Sequence, residues 1–185
     1  MNGFYLAIGK QGSGKTLFIT KLLVDNLGDR PVFSNYTLHG IAFQPVTLSD
    51  RLKREGTIYM IEKIMETSDG SSANFFNNSI ILLDEIHLDL NSLDFMRKNN
   101  RILQTFFSQL RKRNILLLAT SQYILNVDIR IRRQCKNVFD MYHIEGDIFQ
   151  VVTNDIDGYL SEEISRHYID LSDYYKYYDT NEIIL

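Results

Sequence analysis

The chain has 185 residues, 44% of them hydrophobic, with two prolines and a formal net charge of −3. That length and apolar content fit one folded domain with its own core, and exclude a disordered or low-complexity chain. The single cysteine, Cys135, excludes an internal disulfide and fits a reducing, cytoplasmic setting; with only four scattered histidines beside it, the composition argues against a metal site built from His and Cys.

The chain opens on Phe4-Tyr5-Leu6-Ala7-Ile8, which reads as a short buried strand. Gly9-Lys10-Gln11-Gly12-Ser13-Gly14-Lys15-Thr16 follows, a complete G-x-x-x-x-G-K-[ST] phosphate-binding loop. Leu17, Ile19, Leu22, Leu23 and Leu27 then recur at helical spacing until Gly28 supplies a stop. Strand, glycine loop and helix are the setting this chemistry needs. The glycines let successive N–H groups turn towards phosphate oxygens, and the helix N-terminus adds its positive dipole end. Lys15 would neutralise the β- and γ-phosphates of ATP, and the Thr16 hydroxyl would ligate Mg²⁺.

A second strand is expected over 31–36, and a strand or extended loop within 37–46. Ser49 caps an expected helix running through Leu52 towards Met65, with Gly56 as its weak point, and 67–74 reads as a polar surface loop.

Ile80-Ile81-Leu82-Leu83 is apolar throughout, as a central parallel strand should be, and it ends in Asp84-Glu85. At the carboxyl end of such a strand Asp84 can hold Mg²⁺ and Glu85 can polarise the attacking water. His87 after them reads as a surface or supporting residue rather than a catalytic one.

From Asn99 an amphipathic helix carries Ile102, Leu103, Phe106, Phe107 and Leu110, and it ends in Arg111-Lys112-Arg113. Another buried strand, 115–119, delivers Thr120-Ser121-Gln122 to the same sheet edge, where the Gln122 amide can sense the γ-phosphate. Neither apolar run, 80–83 or 115–119, is long enough to span a bilayer, and the residues before the first strand offer no basic region and long apolar stretch that would be expected of a signal peptide.

Asp128-Ile129-Arg130-Ile131-Arg132 alternates like an edge strand with one charged face, and it also offers candidates for an arginine finger. Strands are expected over 138–142 and 149–152 around a turn at Glu145-Gly146-Asp147. The tail is rich in Tyr and acids; those acids favour partner contact or packing on the domain over a nucleotide-stacking platform. Ten basic residues lie between Arg97 and Lys136 against one acid, Asp128, whereas 140–185 holds eleven acids against Arg166 and Lys176. A basic middle and an acidic tail suggest one face for a polyanion and another for solvent or a partner.

The phosphate loop, Asp84-Glu85, the strand ending at Gln122 and the Asp128–Arg132 segment stand in an order that resembles the FtsK/HerA superfamily of DNA-pumping ATPases. The small size resembles viral genome-packaging ATPases of archaeal and membrane-containing viruses, and the zonula-occludens-toxin-like ATPases of filamentous phages. The resemblance covers about residues 4–152, with an acidic, Tyr-rich extension over 153–185. It implies an α/β, RecA-like P-loop core: a mainly parallel sheet flanked by helices, with C-terminal strands and a short tail. It implies a ring of five or six subunits that threads double-stranded DNA through phosphate contacts, independent of sequence, using ATP and Mg²⁺. A capsid or viral membrane protein would be the docking partner. Lys15, Thr16, Asp84, Glu85 and Gln122 would form the site within one subunit. The arginine acting on the neighbour's nucleotide is left open among Arg111, Arg113, Arg130 and Arg132. Against this stand an AAA+-like remodelling ATPase, a small-molecule P-loop kinase and a nucleotide-gated binding switch.

Overall fold

A computed structural model describes residues 1–48, 55–66, 75–88, 98–157 and 160–178. Its spine is a sheet in the order β4-β3-β2-β5-β6-β1-β7-β8-β9. The strands are β1 (Gly3–Ile8), β2 (Val32–Ser34), β3 (Gln44–Thr47), β4 (Ile58–Tyr59), β5 (Ile80–Leu83), β6 (Leu116–Ser121), β7 (Cys135–Glu145), β8 (Ile148–Asp157) and β9 (Leu160–Asp170). From β4 to β7 every neighbouring pair is parallel, and β7-β8-β9 is an antiparallel meander.

The parallel strands are apolar on both faces because helices cover both. On one side Phe4, Leu6, Ile81, Leu83 and Leu117 pack with α2 (Met60–Glu66), α3 (Lys98–Gln109) and α4 (Ile129–Arg132). On the other, Tyr5, Ala7, Ile80, Leu82 and Leu118 pack with α1 (Lys15–Asn26), and Met141, Phe149 and Val151 extend that layer. The period-two alternation along β1 decides which residue faces which layer.

β6 lies between β1 and β5, in register with both: Leu118 is opposite Tyr5 on one side and Leu82 on the other. The ends of β1, β5 and β6 therefore meet at one edge, with β6 in the middle.

Three expectations need correction, and one strand is an addition. The Ile-Arg alternation at 129–132 is a helix, because the Asp128 carboxylate accepts the Arg130 N–H at 2.8 Å and caps α4. The helix expected across Gly56 is interrupted there: Gly56 has φ 81, β4 follows, and α2 begins only at Met60, while Ser49 and Leu52 lie outside the described residues, as does the 67–74 loop. The C-terminal strands are much longer than 138–142 and 149–152. β9 was not expected at all; its side chains at 163, 164, 166, 167 and 168 are exposed, so no apolar alternation marks it.

The turn between β7 and β8 falls at Gly146, whose φ is 54. The Tyr-rich tail packs on the domain: Lys21 sits over the Tyr174 ring, the His39 N–H donates to Tyr177 O at 2.8 Å, and Leu38 bridges Tyr178. Among the described residues no helix is long and apolar enough to cross a membrane.

Candidate functional site

The phosphate-binding loop leaves β1 and wraps back into α1 through three left-handed or extended-positive glycines, Gly9 (φ 145), Gly12 (φ 75) and Gly14 (φ 82). Two of these have a second reason to lack a side chain. A Cβ on Gly9 would lie 2.6 Å from Met141 O, and one on Gly14 would lie 2.6 Å from Cε1 of Phe149. The β7-β8 hairpin thus presses against the loop from behind. Lys15 is 6% exposed, and its Nζ donates to Lys10 O at 3.1 Å, closing the loop on itself.

β5 brings Asp84 to the first turn of α1. The Thr16 hydroxyl donates towards the Asp84 carboxylate, 3.0 Å from Oδ1 and 3.1 Å from Oδ2. From β6 the Thr120 hydroxyl donates to the same Oδ1 and accepts the Glu85 N–H at 2.9 Å. Desolvation pushes the Asp84 carboxyl above its ordinary range, against the lowering effect of the Thr120 and Thr16 hydroxyls. Glu85 next to it adopts φ 53, an uncommon conformation for a residue with a side chain. Its Oε2 lies 3.2 Å from His87 Nδ1. The sequence leaves His87 as a surface or supporting residue, and the structure sets its ring beside the Glu85 carboxylate.

Gln122, exposed, follows β6 at the same edge. A cleft of about 800 Å³ opens there, lined by residues 8–13 of the loop, 122–126 and 140–143. The structure therefore brings Gly9, Lys10, Gln11, Gly12, Ser13, Gly14, Lys15, Thr16, Asp84, Glu85 and Gln122 to one edge of the sheet.

The arginines part company. Arg111 and Arg113 precede β6, and Gly3 N–H donates to Ile115 O at 2.8 Å, so they sit at the opposite edge. A six-residue strand, roughly 20 Å, separates them from their own subunit's phosphate loop. Arg113 Nε reaches Gln109 Oε1 at 3.0 Å. Arg130 pairs with Asp128, Nη2 to Oδ2 at 2.6 Å, and Arg132 is buried.

Sequence reasoning missed Asn35, Thr120 and Phe149. Their contacts depend on which strands become neighbours, and only Thr120, one residue past a buried run and beside the Gln122 signal, carried any local hint.

No curated protein matches the chain in sequence. Among solved structures it is similar to the N-terminal domain of zonular occludens toxin from Neisseria meningitidis: 17% identity, TM-score 0.71, covering 97% of this chain and 100% of that one. It is also similar to B204, the DNA-packaging ATPase from Sulfolobus turreted icosahedral virus (15% identity, TM-score 0.52, covering 88% and 98%). A third similarity is to the ATPase domain of G40P (12% identity, TM-score 0.54, covering 95% and 84%). At these identities the likeness shows the fold, that of the P-loop NTPases. The family model for Zonular occludens toxin (Zot) matches residues 3–156, and the chain belongs to that family.

Proposed function

We propose that the chain is an ATP-hydrolysing motor of the FtsK/HerA kind that moves double-stranded DNA, most specifically into a viral capsid. The observation that carries the ATPase part is the convergence of Thr16 and Asp84, 3.0 Å apart, beneath a complete phosphate loop, with Glu85 next in the chain. Their donor set fits Mg²⁺: one hydroxyl, and one desolvated carboxylate on which Lys15 acts only as the weakest of the charges and hydrogen bonds around it. Among the described residues no cluster of three or more His, Cys, Asp or Glu could hold a metal without further ligands, so phosphate and water oxygens would complete the shell. Bound Mg²⁺ would neutralise charge on the β- and γ-phosphates.

In this reading Lys15 exchanges Lys10 O for phosphate oxygens, and the loop N–H groups cradle the phosphates. Glu85 orients and polarises water, and Gln122 senses the γ-phosphate from the strand between loop and acids. The whole chain works as one ATPase domain in the cytoplasm. Arg111 and Arg113 lie at the far end of β6 from their own phosphate loop, so either could serve as a finger only on a neighbour's nucleotide, as in a ring of identical subunits. B204 is a DNA-packaging ATPase, and the likeness to it supports the DNA part of the reading.

Phosphate release from ATP tests it, with and without long double-stranded DNA, at low and moderate salt. DNA stimulation that fades with salt is the expected result, because phosphate contacts release counterions. Turnover indifferent to DNA would leave an ATPase with another partner. A phosphorylated acceptor in place of free phosphate would overturn the motor in favour of a kinase.

A further inference from the structure

Asn35 stands one residue past β2 and has no place in the phosphate-loop or acid-pair motifs. Its side chain nonetheless makes two bonds to one residue of the acid pair. Nδ2 donates to Asp84 O at 2.9 Å, and Oδ1 accepts the Asp84 N–H at 2.7 Å. The Asn35 N–H adds a third bond across the same seam, to Leu82 O at 3.2 Å. β2 and β5 pair only as far as Ser34 and Leu82. Beyond that point the Asn35 amide takes over the part of a missing strand residue, offering one donor and one acceptor as a peptide would.

Asn35 is itself held. Ser34 Oγ donates to Tyr36 O at 2.7 Å and accepts the Tyr36 N–H at 3.2 Å, which brackets the residue between them. The chain it grips then enters the left-handed conformation of Glu85, φ 53. Such a conformation is strained for a residue with a side chain and persists where its surroundings impose it. Here the surroundings are Asn35 on the β2 side and Thr120, which accepts the Glu85 N–H at 2.9 Å, on the β6 side.

We propose that Asn35 is a positioning residue for ATP hydrolysis: its amide fixes the Asp84 main chain so that Glu85 leaves the strand in the left-handed turn that aims its carboxylate. The proposal rests on the ATPase reading above. Asn35 touches neither nucleotide nor water in this role and acts through Glu85. A misplacement of about 1 Å at a reacting group can cost roughly 100-fold in rate, so the effect falls on turnover rather than on nucleotide affinity.

The test uses the full chain as wild type, Asn35→Ala, Asn35→Asp, Glu85→Gln and the Asn35→Ala/Glu85→Gln double variant. Asn35→Asp keeps the size and the bond from the Asp84 N–H, replaces the donor facing Asp84 O with a carboxylate oxygen and adds a negative charge there, so it reports even where the alanine variant folds poorly. Steady-state and single-turnover phosphate release are measured with Mg-ATP, and affinity with ATPγS. The expected result is a kcat lower by roughly 10- to 100-fold in both single variants, with KM and ATPγS affinity within about twofold of wild type. The double variant should be no slower than Glu85→Gln alone. Wild-type kcat in Asn35→Asp, a parallel loss of ATPγS binding, or a further slowing of the double variant would each overturn the positioning role. A wild-type chain that releases no phosphate would instead overturn the ATPase reading, and this one with it.

Discussion

Thr16 and Asp84, 68 positions apart in the chain, meet through one hydroxyl that lies almost equally far, 3.0 and 3.1 Å, from the two oxygens of one carboxylate. The contact joins the first turn of α1 to the end of β5 across the tip of β6. It also leaves a carboxylate in a desolvated place, its hydrogen bonds among the described residues coming from the Thr16 and Thr120 hydroxyls.

That carboxyl is held above its usual range by desolvation, so its ionised form opposes folding. The penalty is absent below the unfolded value, about 3.9, and grows as pH rises through the raised folded value. Asp84→Asn is expected to raise the apo Tm at pH 7 by roughly 2–4 °C, and to lose that advantage below about pH 4. Thermal melts at the two pH values, without Mg²⁺, check it. The same variant should lose the extra melting stability that Mg-ATPγS gives the wild type.

Lys15 and Glu85 should separate binding from turnover. Lys15→Ala removes a charged donor worth about 1.5–3 kcal/mol, so ATPγS should bind roughly 10- to 100-fold more weakly. Glu85→Gln should bind ATPγS normally yet slow phosphate release by about 100-fold or more. Rapid hydrolysis by the glutamine variant would end the water-activating role given to Glu85.

Gly14 tests the wedge behind the loop. Gly14→Ala must place a Cβ against the Phe149 ring in a left-handed backbone, at a strain cost of roughly 1–3 kcal/mol before the ring moves. Its Tm should drop by about 5–10 °C. Adding Phe149→Ala should recover nucleotide affinity in part but not the Tm, since it opens the core layer it had filled. An unchanged Tm in Gly14→Ala would remove the hairpin from any role in shaping the loop.

Asp128 gives an opposite pH signature. Hydrogen bonds from the Arg130 side chain hold its carboxyl below the ordinary carboxylate range. Its contribution is therefore fully present above the unfolded value and is lost as pH falls through the depressed folded value. Asp128→Ala, which also loses the α4 cap, should cost about 1–2 kcal/mol at pH 7, and the gap from wild type should narrow below about pH 4. Urea titrations at pH 7 and 3.5 would measure it.

Three short stretches carried a signal that the structure bears out, whereas the helix read across Gly56 is broken there. The glycine loop, the apolar run at 80–83 and the amphipathic spacing of Leu103, Phe106, Phe107 and Leu110 each depend on neighbours within one turn or strand. Asn35 carried no such signal, because its partner is 49 residues away and is met only after β2 and β5 pair. At 129–132 two local cues competed, alternation and an Asp cap, and the cap prevailed because Ile131 then packs into the cluster with Phe106 and Leu110. The exposed faces of β9 left no periodic trace, as a strand needs one buried face to leave one.

The middle place of β6 sets the width of the jaws. With neighbouring strands roughly 4.8 Å apart, the phosphate loop and the acid pair are anchored about 10 Å from each other, and the spacer between them is a run of leucines. Leu116, Leu117 and Leu118 are fully buried and hold nothing reactive, yet their packing above and below the sheet keeps that spacer in place. The gauge of the site is thus machined from hydrocarbon, and a core substitution there would alter its opening without touching a single polar group.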